Sequence, residues 1–341
     1  MKELIIHGSN KESRILVGES IKNLSKYLPS EKVIVITDTN VNRLYNKEFN
    51  QFQIIEIGTG EQIKTLQTVQ FIYEKLIEYE ADRTSFIVGI GGGIVCDITG
   101  FVASTYMRGI RFGFVATTLL AQVDASLGGK NGVNLNKFKN MIGVFNQPDF
   151  VLCDMNLLKT LPDREILCGM GEIVKHTLIA YSAMFNYLEE NYQKAITLDN
   201  QVIEKLVYES VVIKSDVVNK DEKEKGLRRI LNFGHTIGHA IEKCSTDITH
   251  GEAISIGMVM ASAISVNKKL LKKDEYLKII DLLKKLKLPV STTIDKQKII
   301  DAMKKDKKRE GASINFILLD GIGKTLIESI KVNELEKIIN L

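Results

Sequence analysis

Three of the five histidines in this chain lie close together, and with acidic side chains they form a cluster typical of a metal centre. His235 and His239 are four residues apart, which places them on one face of a helix, and His250 stands in a His-Gly-Glu turn. Glu172 lies on another predicted helix. Two histidines, one carboxylate and one open position are the ligands of catalytic zinc, which polarises a bound oxygen. Each histidine alone is as readily a packed or surface side chain, and the residues alone leave open which two would bind the ion.

A glycine-rich turn follows a predicted strand in the first half of the chain. Residues 91–93 are all glycine, come directly after the apolar run 86–90 and open a helical pattern. Backbone N–H groups at such a helix start bind a pyrophosphate. The G-x-G-x-x-G fingerprint is not met, because Ile94 stands where its last glycine belongs. A tight turn without a ligand is the alternative, but Asp38 at the end of an earlier strand and the pair Thr117–Thr118 after the next one favour a dinucleotide.

A second glycine-rich loop spans residues 126–134 and contains Lys130, and Lys139 and Asn140 follow shortly after it. It is not a Walker A loop, because Lys130 is followed by Asn131 rather than by Ser or Thr. Lysine and amide side chains on flexible backbone suit a phosphate or carboxylate ligand. The alternative is a polar surface loop.

The elements that must position these residues change in type along the chain. Short β-branched runs at 33–37, 54–57, 86–90 and 112–116 predict buried strands, with a helical pattern over 62–79. This alternation predicts a doubly wound, mostly parallel, Rossmann-like α/β domain with ligands at the carboxyl ends of its strands. Long helical patterns follow Pro162, at 164–181, 202–218, 236–243 and 253–267. We therefore predict an α/β domain at 1–160 and a mostly α-helical domain at 161–341.

The composition excludes several classes of protein. The 341 residues include 46 basic and 42 acidic side chains, and a net charge of +4 is too small to indicate nucleic-acid binding. Hydrophobic residues make up 44% and charged residues 26%, which excludes disordered and fibrous chains. The lysine-rich stretch 268–308 contains interleaved acids and few aromatic residues, so it predicts a solvated helix face.

Cysteine usage and hydrophobicity indicate the compartment. The four cysteines are far apart, which predicts reduced and mostly buried thiols. The first residues lack the apolar segment of a signal peptide, and the longest uncharged run, 253–267, is too short to span a bilayer. We expect a cytoplasmic protein with neither a membrane nor a nucleic acid as partner.

Six motifs follow one another in the chain: GGGIVCDITGFVASTYMRG, TTLLAQVDASLGGKNGVN, LPDREILCGMGEIVKH, DEKEKGLRRILNFGHTIGHAIE, HGEAISIGM and DKKREG. In this order and spacing the chain resembles the 3-dehydroquinate synthase family, a branch of the sugar phosphate cyclases. The resemblance is specific because nucleotide, loop and metal motifs occur together.

The resemblance implies an NAD- and zinc-dependent carbon–oxygen lyase of the shikimate pathway, in chorismate and aromatic amino acid biosynthesis, with Co2+ able to replace zinc. Its substrate is a phosphorylated keto-acid sugar, 3-deoxy-D-arabino-heptulosonate 7-phosphate, and its products are 3-dehydroquinate and phosphate. NAD+ takes a hydride from a ring hydroxyl, phosphate leaves by β-elimination, the hydride is returned, and the opened ring closes by intramolecular aldol addition. The resemblance also implies a homodimer, with NAD bound by the first domain and metal and substrate by the second.

The resemblance also assigns residues to these roles. It places the metal ligands on Glu172, His235 and His250, and it gives His239 a catalytic role at the substrate. NAD contacts fall on Asp38, Asn40, Glu61, Lys64, Gly92, Gly93, Asp97, Thr117, Thr118, Lys130, Lys139 and Thr160. Further catalytic and substrate contacts fall on Arg108, Asp124, Lys130, Asn140, Lys175, Lys214, Arg228, Asn232 and one of the pair Lys307 and Lys308, with Arg108 reaching a neighbouring subunit's site.

Two alternative enzyme classes share these motifs in part. Other sugar phosphate cyclases, such as 2-deoxy-scyllo-inosose synthase, have the metal and NAD motifs, but the DKKREG motif and Arg228 favour a substrate that carries a carboxylate. Metal-dependent NAD polyol or alcohol dehydrogenases share the fold and the Gly-Gly-Gly turn, and they would release NADH. A non-catalytic binding module would need neither the histidine cluster nor the loop lysines.

Overall fold

The computed structural model describes residues 1–9, 11–29, 32–136, 138–245, 247–304, 309–310 and 313–339. The chain divides into two compact units. The first unit comprises Met1–Leu161 and Lys214–Glu222, and the second comprises Pro162–Ile213 and Lys223–Leu341. The first unit therefore includes a short stretch that lies far along the chain.

The first unit combines strands and helices in alternation. Its strands are β1 (Lys2–His7), β2 (Glu12–Val17), β3 (Val33–Asp38), β4 (Gln53–Ile57), β5 (Phe86–Gly91), β6 (Arg111–Ala116), β7 (Lys130–Leu135), β8 (Phe138–Phe145) and β9 (Phe150–Cys153). Its α-helices are α1 (Thr39–Tyr45), α2 (Leu66–Glu78) and α3 (Gly93–Thr105). Short 3-10 turns lie at Ile21–Lys26, Asn46–Glu48, Glu61–Ile63, Tyr106–Arg108 and Met155–Thr160, and a π-helical turn lies at Ala121–Ala125.

Seven of these strands form one sheet in the order β1-β2-β9-β6-β5-β3-β4. Strand β1 is antiparallel to β2, and the other neighbours are parallel. The chain order reverses at β3, which pairs with β4 on one side and with β5 on the other. Doubly wound sheets bind ligands at such a reversal. The predicted doubly wound, mostly parallel sheet is confirmed, and β7 and β8 form a separate hairpin.

Local sequence explains which faces of these elements are buried and where α2 begins. Every residue of β5 is buried, as a near-continuous apolar run in a parallel sheet requires. In α2 the side chains of Val69, Ile72 and Leu76 face the core at helical spacing. The helix begins at Leu66 rather than at the predicted residue 62, because the Thr65 side chain accepts the N–H of Thr68 at 3.3 Å and caps it there.

The second unit is mostly helical, as predicted. Its helices are α4 (Asp163–Ala180), α5 (Ser182–Ile196), α6 (Asn200–Lys220, ending in the stretch that belongs to the first unit), α7 (His235–Cys244), α8 (His250–Asn267), α9 (Lys273–Lys285), α10 (Lys296–Lys304) and α11 (Leu335–Ile339). An antiparallel sheet combines β10 (Arg309–Glu310), β11 (Ser313–Leu319) and β12 (Thr325–Lys331), which the sequence reading did not predict. Short 3-10 turns lie at Leu227–Asn232 and Val332–Glu334. The hydrophobic core of the second unit includes Ile241, Ile256, Ile299 and Phe316.

Two features determine how α7 and α8 meet. A capping box starts α8 at His250, since the backbone N–H of Thr249 donates to Glu252 at 2.7 Å and the Thr249 hydroxyl accepts the N–H of Glu252 at 3.4 Å. Two turns further along α8, the backbones of the two elements touch: a Cβ on Gly257 would lie 2.1 Å from the carbonyl oxygen of Gly234, the residue before α7. Only glycine permits this approach.

Among the residues described, no helix is both long and apolar enough to cross a membrane.

We expect thiol reagents to distinguish Cys244 from the other cysteines. All four thiols are free, and Cys96, Cys153 and Cys168 are buried while Cys244 is partly exposed. Burial raises the pKa of Cys153 and of Cys168 to about 12, so neither forms a thiolate at pH 8. Iodoacetamide should therefore add one label to the native protein, and Cys244→Ser should remove it, as intact mass would show. Rapid labelling of Cys168 in the native protein would contradict its burial.

Candidate active site

The carboxyl ends of three neighbouring strands in the first unit carry predicted cofactor residues. Strand β3 ends at Asp38, β5 leads into Gly92 and Gly93, and β6 is followed by Thr117 and Thr118. These strands are adjacent in the sheet, so the residues lie along one edge. Gly92 precedes the first turn of α3, and a Cβ there would lie 2.9 Å from the Thr118 methyl carbon. A helix start with such open backbone suits a pyrophosphate.

Asp38 also has a structural role in the first unit. Its Oδ1 accepts the backbone N–H groups of Asn40 and Val41 at 2.9 and 3.0 Å, which caps α1. Burial raises the pKa of Asp38, and the two backbone hydrogen bonds oppose this effect. Thr160 also contacts α1, through a 2.7 Å hydrogen bond between its hydroxyl and that of Tyr45.

Lys64 connects α3 with the β7–β8 hairpin. Its side chain is only 4% exposed, and its Nζ donates to the carboxylate of Asp97 and, at 2.5 Å, to Oδ1 of Asn140. Burial raises the pKa of Asp97, and the charge of Lys64 opposes this effect. Asn134 completes the network, because it donates to Glu61 at 2.8 Å and accepts the backbone N–H of Asn140 at 2.8 Å. Asn134 was not among the predicted site residues, although it lies in the glycine-rich loop that the sequence singled out.

Asp124 and Lys214 form a second, partly buried contact in the first unit. Asp124 lies in the π-helical turn, a geometry frequent at functional sites. Nζ of Lys214 donates to the backbone oxygen of Asp124 at 2.5 Å and to its Oδ1 at 2.6 Å. Two residues that are 90 positions apart in sequence are therefore held together, and both were predicted to contact the substrate.

The remaining predicted residues of the first unit are exposed. Lys130 begins β7, Lys139 lies on β8, and Arg108 ends the turn Tyr106–Arg108 with a positive φ of 71°. Lys307 and Lys308 lie outside the described residues.

Glu172, His235 and His250 converge at one point of the second unit, on α4, α7 and α8. The Nε2 atoms of both histidines lie 3.4 Å from Oε1 of Glu172. Ligand atoms about 2.1 Å from a tetrahedral zinc ion lie about 3.4 Å from one another. The carboxylate is fully buried, at 0% exposure. Donor types, spacing and burial therefore fit a zinc ion.

The charges around this cluster keep its carboxylate ionised. Burial alone would raise the pKa of Glu172, but the nearby charges of Lys175 and His235 hold it well below its usual range. Lys175 forms an ion pair with Glu172 and is 1% exposed. Burial would lower the pKa of His250, whereas hydrogen bonds to Glu172 and Glu242 raise it to about 9. Glu172 is therefore in the deprotonated form in which a carboxylate binds a metal ion.

His239 lies beside His235 and His250, which with Glu172 already form a group of three possible ligands without it. Its ring centroid is 5.1 Å from that of His235 and 5.8 Å from that of His250. His239, Glu242 and His250 form a second group that could hold an ion. The group around Glu172 is favoured, because its two equal 3.4 Å separations match a tetrahedral centre.

Each of the two favoured histidines has a partner on its other ring nitrogen. Nδ1 of His235 lies 3.0 Å from the carbonyl oxygen of Phe233, and Nδ1 of His250 lies 3.4 Å from Oε2 of Glu242. Sequence reasoning missed Glu242, although its position one turn after His239 on α7 was a signal that could have found it.

Two more predicted residues lie in the 3-10 turn Leu227–Asn232, which leads into α7. Arg228 is 2% exposed, and Nδ2 of Asn232 donates to Oε1 of Glu224. Glu224 was not among the predicted residues, although it lies in the motif that begins at Asp221 and also contains Arg228 and Asn232.

Two consecutive regions of the chain match models of one protein family. The model of the 3-dehydroquinate synthase N-terminal region matches residues 54–168, and that of the C-terminal region matches residues 169–309. The curated 3-dehydroquinate synthase of Thermoanaerobacter pseudethanolicus is 42% identical over 334 residues, which cover 95% of this chain and 93% of that protein. That of Campylobacter concisus is 43% identical over 319 residues, 91% of each chain.

Solved structures share the fold of this chain. A structure of 2-deoxy-scyllo-inosose synthase with carbaglucose-6-phosphate, NAD+ and Co2+ is 29% identical, covers 99% of each chain and has a TM-score of 0.89. A structure titled as a probable glycerol dehydrogenase of Sinorhizobium meliloti is 16% identical. The match covers 96% of this chain and 94% of that chain with a TM-score of 0.68, so it shows the fold alone. The two matched regions and the identity to curated relatives confirm the resemblance predicted from the motifs: the chain belongs to the 3-dehydroquinate synthase family.

Proposed function

We propose that the protein converts 3-deoxy-D-arabino-heptulosonate 7-phosphate into 3-dehydroquinate and phosphate, with NAD+ and zinc, as a step of aromatic amino acid biosynthesis. The observation that carries the proposal is the convergence of Glu172, His235 and His250 in a chain that is 42% identical to a curated 3-dehydroquinate synthase. NAD+ together with Co2+ or Zn2+ is bound by neighbours of the same fold, which supports both cofactors.

The two units divide the work in this proposal. The first unit binds the dinucleotide, with the start of α3 at its pyrophosphate and Asp38 at a ribose. The second unit holds the metal through Glu172, His235 and His250. When bound, NAD+ supplies a reversible hydride acceptor and zinc supplies a Lewis acid.

The chain's own side chains bind the anionic substrate and move its protons. Lys175 balances the charge of Glu172 inside the unit. His239, next to the ligands but not required among them, transfers protons at the substrate. Lys214 holds Asp124 in one orientation through two hydrogen bonds. The remaining basic and amide side chains match a substrate with both carboxylate and phosphate, namely Lys130, Asn140, Arg228 and Asn232.

The proposal is tested by following phosphate and NADH together. The assay contains heptulosonate phosphate, zinc and NAD+, with the concentration of NAD+ far below that of the substrate. We expect many phosphates released per NAD+ and no net absorbance of NADH. The reason is that the hydride is returned within each turnover. Glucose 6-phosphate serves as the comparison substrate and should release no phosphate. It is chosen because the ligand in the 2-deoxy-scyllo-inosose synthase structure is carbaglucose-6-phosphate.

Two results would move the assignment elsewhere. Phosphate release from glucose 6-phosphate alone would favour another sugar phosphate cyclase. NADH formed one for one with substrate, without free phosphate, would favour a polyol or alcohol dehydrogenase.

The homodimer, the cytoplasmic location and the contact of Arg108 with a neighbouring subunit stay predictions.

A further inference from the structure

Glu242 is a carboxylate 3.4 Å from the predicted metal ligand His250, and no predicted role includes it. It lies on α7 three residues after His239 and seven after His235, so the three side chains share one face of the helix. His250, the first residue of α8, faces this stripe. Its ring lies between two carboxylates, with Nε2 3.4 Å from Glu172 and Nδ1 3.4 Å from Glu242.

This arrangement gives the two ring nitrogens different partners. A neutral imidazole carries one proton, and a carboxylate beside Nδ1 holds that proton there. Nε2 then keeps its lone pair for an ion, and rotation of the ring is restricted. His235 shows the same pattern with a backbone carbonyl in place of the carboxylate, at 3.0 Å from its Nδ1. Outer partners of this kind orient metal-binding histidines and strengthen them as ligands.

We propose that Glu242 is a positioning residue that sets the tautomer and the ring orientation of His250 for metal binding. The inference rests on the zinc site of the proposed function and goes beyond it, because it gives a role to a side chain outside the ligand set. The side chain of Glu242 is partly buried, at 14% exposure, so solvent competes only weakly for the hydrogen bond. The capping box at Thr249 and Glu252 holds the backbone of His250, and Glu242 holds its ring.

The alternative role for Glu242 is that of a direct ligand, in the group with His239 and His250. In that arrangement His250 would bind through Nδ1 and Glu172 would not be needed. The two roles predict different metal affinities, because a lost ligand removes the ion whereas a lost outer partner weakens its binding in a graded way.

Zinc affinity of the metal-free protein distinguishes the two roles. We expect competition with a chromogenic chelator to show binding weakened about 10- to 100-fold in Glu242→Ala. Glu242→Gln should lose less, since its amide oxygen accepts the same hydrogen bond without the negative charge. The Co2+ absorption bands of both variants should keep the wild-type shape, because the ligand set is unchanged. Glu190→Ala, an exposed glutamate on α5, is the matched control and should bind as the wild type does.

Each remaining outcome has a definite meaning. Wild-type affinity in Glu242→Ala overturns the proposal. If that variant does not fold, Glu242→Leu takes its place, because leucine offers no acceptor to Nδ1 of His250, and wild-type affinity in it overturns the proposal in the same way. Complete loss of zinc in Glu242→Ala, with binding retained in Glu172→Ala, makes Glu242 a ligand and overturns it as well. A wild-type protein that binds no stoichiometric zinc instead contradicts the proposed function, which separates that failure from failure of the inference.

Discussion

Replacing Glu172, His235 or His250 by alanine should remove zinc and activity together. Each variant keeps only two of the three side chains that converge on one point, and two ligands hold an ion loosely. Metal content after dialysis, measured by atomic absorption, should fall from about one zinc per chain to background, with phosphate release falling in parallel. His7→Ala is the matched control, because its side chain is 62% exposed in the first unit.

His239→Ala should separate metal from chemistry. We expect it to retain zinc while turnover falls by a factor of about 10² to 10⁴, the range for loss of a general acid–base group. The same metal analysis and phosphate assay check this. If His239→Ala is depleted of zinc while Glu172→Ala stays loaded, the ion is held by the group of His239, Glu242 and His250 instead.

Gly257→Ala should destabilise the second unit and weaken its metal site. The added Cβ would lie 2.1 Å from the carbonyl oxygen of Gly234 and 2.8 Å from the backbone nitrogen of Gly238, and backbone atoms cannot rotate away. Overpacking of this kind costs about 1–3 kcal/mol or more. Urea unfolding should show this loss, and zinc affinity should fall as well, since α7 carries His235 and α8 carries His250.

Asn267→Ala is the control for this variant, because Asn267 is an exposed residue at the end of the same helix. It should leave both the unfolding midpoint and the zinc affinity within error of the wild type. A fully stable Gly257→Ala protein with wild-type zinc affinity would show that α7 and α8 can separate without consequence for the ligands.

Strong periodic patterns were sufficient to predict much of the fold. The four apolar runs are β3, β4, β5 and β6, and the helical patterns correspond to α4, α6, α7 and α8. Boundaries depended on contacts that periodicity does not contain: α8 starts at His250 rather than at the predicted residue 253, because Thr249 and Glu252 cap it. The sheet of β11 and β12 was missed because a short apolar run is as compatible with a buried helix as with a strand.

In the candidate site too, motifs predicted some residues, whereas others are determined only by packing. Glu172, His235 and His250 belong to motifs, and the structure brings them together. Their partners could not be predicted in the same way, because tertiary packing selects them. Glu242 and Asn134 each stand at the end of a motif, but a motif does not give a contact: only the folded chain places one beside Nδ1 of His250 and the other beside Glu61.

The membership of Lys214–Glu222 in the first unit has a consequence for dissecting this protein. An expression fragment that stops at Leu161 omits these residues, so it is not the first unit but a truncated form of it. Such a fragment removes the lysine that donates to Asp124, and it removes Asn219, whose side chain accepts the backbone N–H of His7 at 2.8 Å at the end of an edge strand. Nucleotide binding measured on that fragment would describe a damaged scaffold. A circularly permuted or fused fragment that restores residues 214–222 is the smallest faithful version of this unit.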